Sequence, residues 1–155
     1  MDQALHQAML ALKKEEVPVG AVIIGPDQTV LAKAYNKVEM VQTQLAHAEA
    51  LAIQKACKKV GNWRLNGCWI YVTLEPCLMC FGLIQLSRFE GIVFGAESFL
   101  FGVGLSSVEK FPSYSKNLKI IGGVRKKESL DLLKAFFDKA RKKRKVTSET
   151  KSKIT

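Results

Sequence analysis

Long apolar runs are missing from this 155-residue chain. None approaches the roughly 20 residues a membrane-spanning helix requires, and residues 1–16 are amphipathic with no signal-peptide pattern. The expectation is a cytoplasmic protein that does not enter a membrane. Cysteine is sparse, at four residues, and two of these stand in Cys77-Leu78-Met79-Cys80. That usage suits a reducing compartment and a bound metal better than a disulfide framework. Histidine is scarcer still, with only His6 and His47. No internal repeat is evident, and low complexity is confined to the residues after Lys142.

What remains is a globular composition, 48% hydrophobic and 25% charged, long enough for one domain with a sizeable core. The net charge of +10 is unevenly placed. From Arg125 onward, 12 Lys and Arg face 4 Asp and Glu, so the other 124 residues carry only +2. A cationic end of this kind neutralises phosphates and releases counterions, holding polyanions without reading their sequence. A solvated, solubilising tail is the competing reading.

Periodicity predicts a helix over residues 2–15, with Leu5, Ala8, Met9 and Leu12 on one face and Asp2 as N-cap. His6 lies beside that apolar stripe and reads as a packed or exposed residue. Pro18 ends the helix, and strands over 19–24 and 29–35 form a hairpin around a turn opening with Gly25-Pro26-Asp27. A buried helix follows over 46–60, stopped by Gly61-Asn62, then a strand over 68–74 and a second apolar helix over 77–86. Short strands are expected over 91–95 and 118–122, with an irregular stretch over 96–116 between them and a closing helix over 129–141. Helices alternating with strands after a hairpin predict an α/β fold. Its form is a three-layer α/β/α sandwich, one mixed sheet of about five strands with helices on both faces.

Two short runs carry the chemistry, and both fall at strand-to-helix transitions. Ala46-His47-Ala48-Glu49 and Glu75-Pro76-Cys77-Leu78-Met79-Cys80 spell H-x-E and P-C-x-x-C, the pattern associated with zinc base deaminases. One neutral imidazole and two thiolates, from His47, Cys77 and Cys80, suit zinc and leave one tetrahedral position open for water. Zinc lowers the pKa of such a water to about 7. Glu49, two residues after the imidazole, reads as the general acid and base that carries the proton. On a helix it would lie about 200° around the axis from His47, so it has to approach from the flank where the chain enters the helix. A closed structural site would need a fourth ligand from Cys57, Cys68 or His6, and the two cysteines read as core residues.

The chain resembles the bacterial tRNA-specific adenosine deaminases of the zinc-dependent cytidine/deoxycytidylate deaminase superfamily. The likeness lies in residues 17–22 (Val-Pro-Val-Gly-Ala-Val), Asn36, residues 46–49, residues 71–80, Ser87-Arg88 and residues 93–96, and it runs from about Ala4 to Arg144. It implies a cytidine-deaminase-like fold, and with the composition of the C-terminal end the chain reads as a single deaminase domain over 1–142 and a basic, flexible tail over 143–155. It further implies hydrolysis of adenosine to inosine at the wobble position of a tRNA anticodon stem-loop, by a homodimer with one Zn2+ per chain. By the same resemblance His47, Cys77 and Cys80 hold zinc, Glu49 shuttles the proton, Asn36 hydrogen-bonds the flipped base and Val19 walls its pocket. From spacing alone Asn36 reads as the turn residue that ends a strand. Two departures stand out: Glu97-Ser98-Phe99-Leu100-Phe101-Gly102 is apolar where the family has a small, polar run with a lysine, and Leu86 replaces a histidine. A free nucleobase or nucleoside deaminase acting on guanine, cytosine or cytidine shares the zinc chemistry and is the alternative. A noncatalytic zinc-stabilised RNA-binding module is a third reading, which leaves Glu49 without a task.

Overall fold

The computed structural model describes residues 1–104 and 118–152, with side chains described to Lys143. Helix α1 (Asp2–Lys13) leads into a hairpin of β1 (Gly20–Ile24) and β2 (Val30–Tyr35). A short helix α2 (Val38–Val41) and a 3-10 turn (Gln44–Ala46) precede α3 (Ala48–Val60). Strand β3 (Trp69–Leu74), helix α4 (Leu78–Leu86), strands β4 (Gly91–Ala96) and β5 (Lys119–Ile121), and helix α5 (Lys126–Ser152) complete the order.

The five strands form one mixed sheet in the order β2-β1-β3-β4-β5. β1 runs antiparallel to both β2 and β3, whereas β3, β4 and β5 are mutually parallel. It follows that β2 and β3 point the same way, and their carboxyl ends share one edge of the sheet. Alternation along the strands separates the two faces. Ala21, Ile23, Ile70, Val72, Ile92 and Phe94 turn toward Ala52, Ile53 and Ala56 of α3 and Phe81 and Ile84 of α4, forming the main core. The opposite face carries α1 and α5. At Gly20 a Cβ would run into the Ala4 carbonyl and the Ala8 amide, so α1 lies directly on the strand backbone there. The expected three-layer sandwich is the observed one.

Several boundaries differ from the sequence expectation, each for a local reason. Asp2 is the first residue of α1 and Met1 stands at its cap; Asp2 instead ion-pairs with Arg125. Neither α2 nor the 3-10 turn was legible, because each is too short to show a period. The expected irregular stretch over 96–116 lies outside the described residues from 105 onward. The basic stretch expected as a tail from residue 143 has a helical backbone through Ser152. No glycine or proline interrupts the chain after Gly123, and Lys and Arg are good helix formers. α1 and α5 are joined by charge as well, since Lys139 and Lys143 both reach Glu15 Oε1, at 2.9 and 2.8 Å. Those hydrogen bonds hold the Glu15 carboxyl down at about 2.

Gly20 is the tightest contact between helix and sheet. Gly20→Ala should lower stability by about 1–3 kcal/mol, the usual cost of overpacking. Urea unfolding checks this, and a variant as stable as the parent would show that α1 can shift away.

Candidate metal centre and its surroundings

The site is built where β2 and β3 end. After β3, Glu75-Pro76 leads to Cys77, which caps α4 in an extended conformation (φ −72°, ψ 168°). After β2, the chain passes through α2 and the 3-10 turn to His47, which caps α3 with φ −58° and ψ 147°. Both caps place a candidate ligand where unpaired backbone amides and the positive end of the helix dipole meet, a setting that favours thiolate over thiol. Cys80 lies one turn into α4 and is fully buried.

The three side chains converge. His47 Nδ1 stands 3.5 Å from Cys80 Sγ and 3.7 Å from Cys77 Sγ, and all three donor atoms lie within 4.8 Å of one another. Tetrahedral zinc, with Zn–S of about 2.3 Å and Zn–N of about 2.0–2.1 Å, separates sulfur from nitrogen by about 3.5–3.6 Å. The donor set therefore fits zinc in both chemistry and spacing. Among the described residues no other His, Cys, Asp or Glu joins this group, which leaves a position open.

The imidazole is oriented from behind. Gln44 Oε1 accepts from His47 Nε2 at 3.1 Å, which puts the proton on Nε2 and turns the Nδ1 lone pair toward the sulfurs. Burial lowers the His47 pKa, so the ring is neutral as a ligand must be. Burial also pushes the Cys80 thiol far up, with the Glu49 and Cys77 charges adding to the rise. A cation between the donors offsets that cost.

Glu49 is almost fully buried, at 4% exposure, and its carboxyl lies beside the Cys80 thiol. Burial raises its pKa. The expected 200° separation from His47 does not arise, because His47 is the cap and Glu49 the second helical residue; the two need not share a helical face. Asn36 is buried beyond the end of β2, and its N–H donates to the Val19 carbonyl at 2.9 Å. The next residue, Lys37, donates to the Ala46 carbonyl at 3.0 Å, one residue before His47. Val19, Asn36 and the His47 cap are thus drawn to the same sheet edge. Cys68 is packed in the core, Cys57 packs against it, and all four cysteines are free.

Four supporting residues were assigned no role from the sequence, although Thr73 and Glu75 lie inside the run 71–80 that carries the resemblance. Gln44 is a polar residue in a turn. Thr73 Oγ1 accepts from Gly20 N at 3.1 Å where the β1–β3 ladder ends. Glu75, at 6% exposure, accepts from Ser98 N at 3.0 Å and holds the loop after β4, whose Gly102 bridges to Cys77. Glu16, fully buried, meets Asn36.

A mixed sheet with a His-Cys-Cys tripod at paired helix N-termini, and a buried carboxyl against one sulfur, defines a class: zinc-dependent hydrolytic deaminases. Residues 1–96 match the family model described as the cytidine and deoxycytidylate deaminase zinc-binding region. The tRNA-specific adenosine deaminase of Bacillus subtilis is 40% identical over 154 residues, covering 98% of this chain and 95% of that protein. A solved structure from studies of A-to-I editing by tRNA:A34 deaminases at the wobble position of transfer RNA is 35% identical. It superposes with a TM-score of 0.80 over 86% of this chain and 97% of that one. Guanine deaminase from Bacillus subtilis is 36% identical, with a TM-score of 0.58 over 62% of this chain and 61% of that one. The chain belongs to the cytidine and deoxycytidylate deaminase family and, within it, to the tRNA-specific adenosine deaminases.

Elemental analysis should find about one zinc per chain, as a three-ligand site with an open position holds. Cys80→Ser and His47→Ala should each lose most of it. Because an ion bound only to the folded state stabilises by mass action, chelation should lower Tm in the parent and leave the metal-free variants unmoved. Full zinc content in Cys80→Ser would remove Cys80 from the ligand set.

Proposed function

We propose that the protein hydrolyses adenosine to inosine at the wobble position of a tRNA anticodon, with His47, Cys77 and Cys80 as zinc ligands and Glu49 as proton carrier. The deaminase chemistry of this reading rests on the buried Glu49 carboxyl beside a three-donor cluster that fits zinc, and the tRNA substrate is supported by the 40% identity to a tRNA-specific adenosine deaminase. Zinc bound there supplies a Lewis acid that makes water nucleophilic near neutral pH. Glu49 takes one proton from the attacking water and gives it to N1 as the C6–O bond forms, then takes the second from the C6 hydroxyl and gives it to the amino nitrogen, which leaves as ammonia as C6=O forms. Its burial raises the carboxyl pKa toward the range where one group can both accept and return a proton. Asn36 and Val19 are the residues we assign to the base itself. A base attacked at C6 has to leave the stack, so an unpaired anticodon loop costs less to bind than a duplex.

The charge distribution supports a polyanionic substrate. Lys139 and Lys143 anchor the cationic face of α5 to Glu15, the residue before Glu16, which contacts Asn36. A deaminase of free guanine, the activity named for one structural relative, has no use for such a face. We further propose a homodimer, supported by the outer face of α4, where Leu78 and Leu86 are exposed on either side of Gly82. Residence in the cytoplasm is proposed from the four free cysteines. Among the described residues no helix is long and apolar enough to cross a membrane.

Incubation of the zinc-loaded protein with an anticodon stem-loop bearing wobble adenosine, and separately with guanine and cytosine, should release ammonia from the stem-loop alone. Release from guanine alone would transfer the assignment to the nucleobase deaminases. Glu49→Ala should cut kcat by about 10²–10⁴ while zinc content holds; unchanged turnover would remove the proton shuttle. Replacing Lys142, Lys143, Arg144 and Lys145 together by Ala should weaken binding and flatten the plot of log affinity against log salt, by about 1 for each phosphate no longer neutralised. The same affinity and slope would make the basic end a solubilising feature only.

A further inference from the structure

Behind the residues assigned to the base lies a carboxylate that the chemistry above does not use. Glu16, between α1 and Pro18, has no exposed surface. Its Oε2 accepts from Asn36 Nδ2 at 3.3 Å and from Glu39 N at 3.1 Å, and its Oε1 accepts from Met40 N at 2.7 Å. A carboxylate is carried into an interior only where hydrogen bonds replace its water. Here three donors come from residues 36–40 alone.

These bonds constrain two things. A side-chain amide can be turned end for end, exchanging donor for acceptor. Glu16, which in its ionised form only accepts, permits one orientation: Asn36 Nδ2 toward Glu16, with Oδ1 and the second N–H left for another partner. At the same time Glu39 and Met40 supply first-turn amides of α2, which lack partners within the helix. Lys37 at the cap position offers them no side chain, and Glu16 caps them from outside the helix. The same carboxylate therefore holds the base-contact amide and the start of the segment that delivers His47.

We infer that Glu16 is a positioning residue for the substrate base, acting by fixing which end of the Asn36 amide faces it. The inference rests on Asn36 as a base contact. With a glutamine at position 16, one accepting oxygen becomes a donor: placed toward Met40 it removes the acceptor of that amide, and placed toward Asn36 it makes Asn36 turn over and removes the acceptor of Glu39 N.

The test uses zinc-loaded protein and the anticodon stem-loop. Glu16→Gln should lower kcat/KM at least tenfold, mostly through KM, with zinc content unchanged, and Asn36→Ala should lose at least as much. The double variant Glu16→Gln/Asn36→Asp reverses the polarity of the pair: the new amide donates to the new carboxylate and its oxygen still caps Met40 N, while Glu39 N, which shared Oε2 with Asn36, loses its acceptor. It should recover the part of the Tm that Glu16→Gln loses through the 16–36 pair yet remain poor in turnover, because position 36 then offers the base no N–H. Turnover recovering together with Tm would overturn the inference, since a merely structural role predicts that. So would Glu16→Gln within twofold of the parent while Asn36→Ala is impaired. If Asn36→Ala itself matches the parent, Asn36 is not a base contact, and it is that underlying assignment that falls. Should Glu16→Gln fail to fold, the double variant alone decides between the two roles.

Discussion

Two helices begin at one place on the sheet edge, and the rest of the site is arranged to keep them there. His47 and Cys77 are both caps, the residues at which an extended chain turns helical, so each side chain projects from a fixed backbone corner. Helix N-termini repel cations and stabilise anions. Buried thiols placed at such ends gain support as thiolates, yet Cys80 in its buried position still has a strongly raised pKa. Burial and dipole thus oppose each other, and a metal ion resolves the conflict by binding the charge directly.

The supports are polar groups that each serve a neighbour, buried in the case of Thr73, Glu75 and Glu16 and exposed in the case of Gln44. Gln44 orients His47, Thr73 receives the Gly20 amide where strand pairing ends, Glu75 ties down Ser98, and Glu16 holds Asn36 with the first turn of α2. A buried polar group left without a partner costs about 1–3 kcal/mol, so each fixes its neighbour in a particular orientation. The catalytic edge gains its rigidity from these contacts, while the apolar core between sheet and helices supplies stability without orientation.

On the substrate side the surface divides in character. Near Glu15 the chain presents the cationic side of α5, and near Cys77 the loop after β4 presents Phe99, Leu100 and Phe101, all strongly exposed. The loop is where the chain departs from the small, polar run that its resemblance leads one to expect. Its base, Gly102 bridged to Cys77, ties that departure directly to the ligand segment.

The linear order of residues was enough for the layers, the helix and strand types, and the donor set. Hydrophobic period distinguishes helix from strand, and H-x-E with P-C-x-x-C names its ligands by spacing. Long elements such as α1, α3 and β3 were legible because many residues repeat one signal. Folding alone decided what depends on residues far apart in the chain. Whether Glu49 could reach the site turned on His47 being a cap and not a helical residue, a matter of two dihedral angles. Glu16 meets residues 20 and more positions away, and a lone acidic residue before Val-Pro carries no mark of that. Periodicity reports which side of an element is apolar; hydrogen-bond partners across the sheet edge are set by topology, and only the assembled chain brings them within reach.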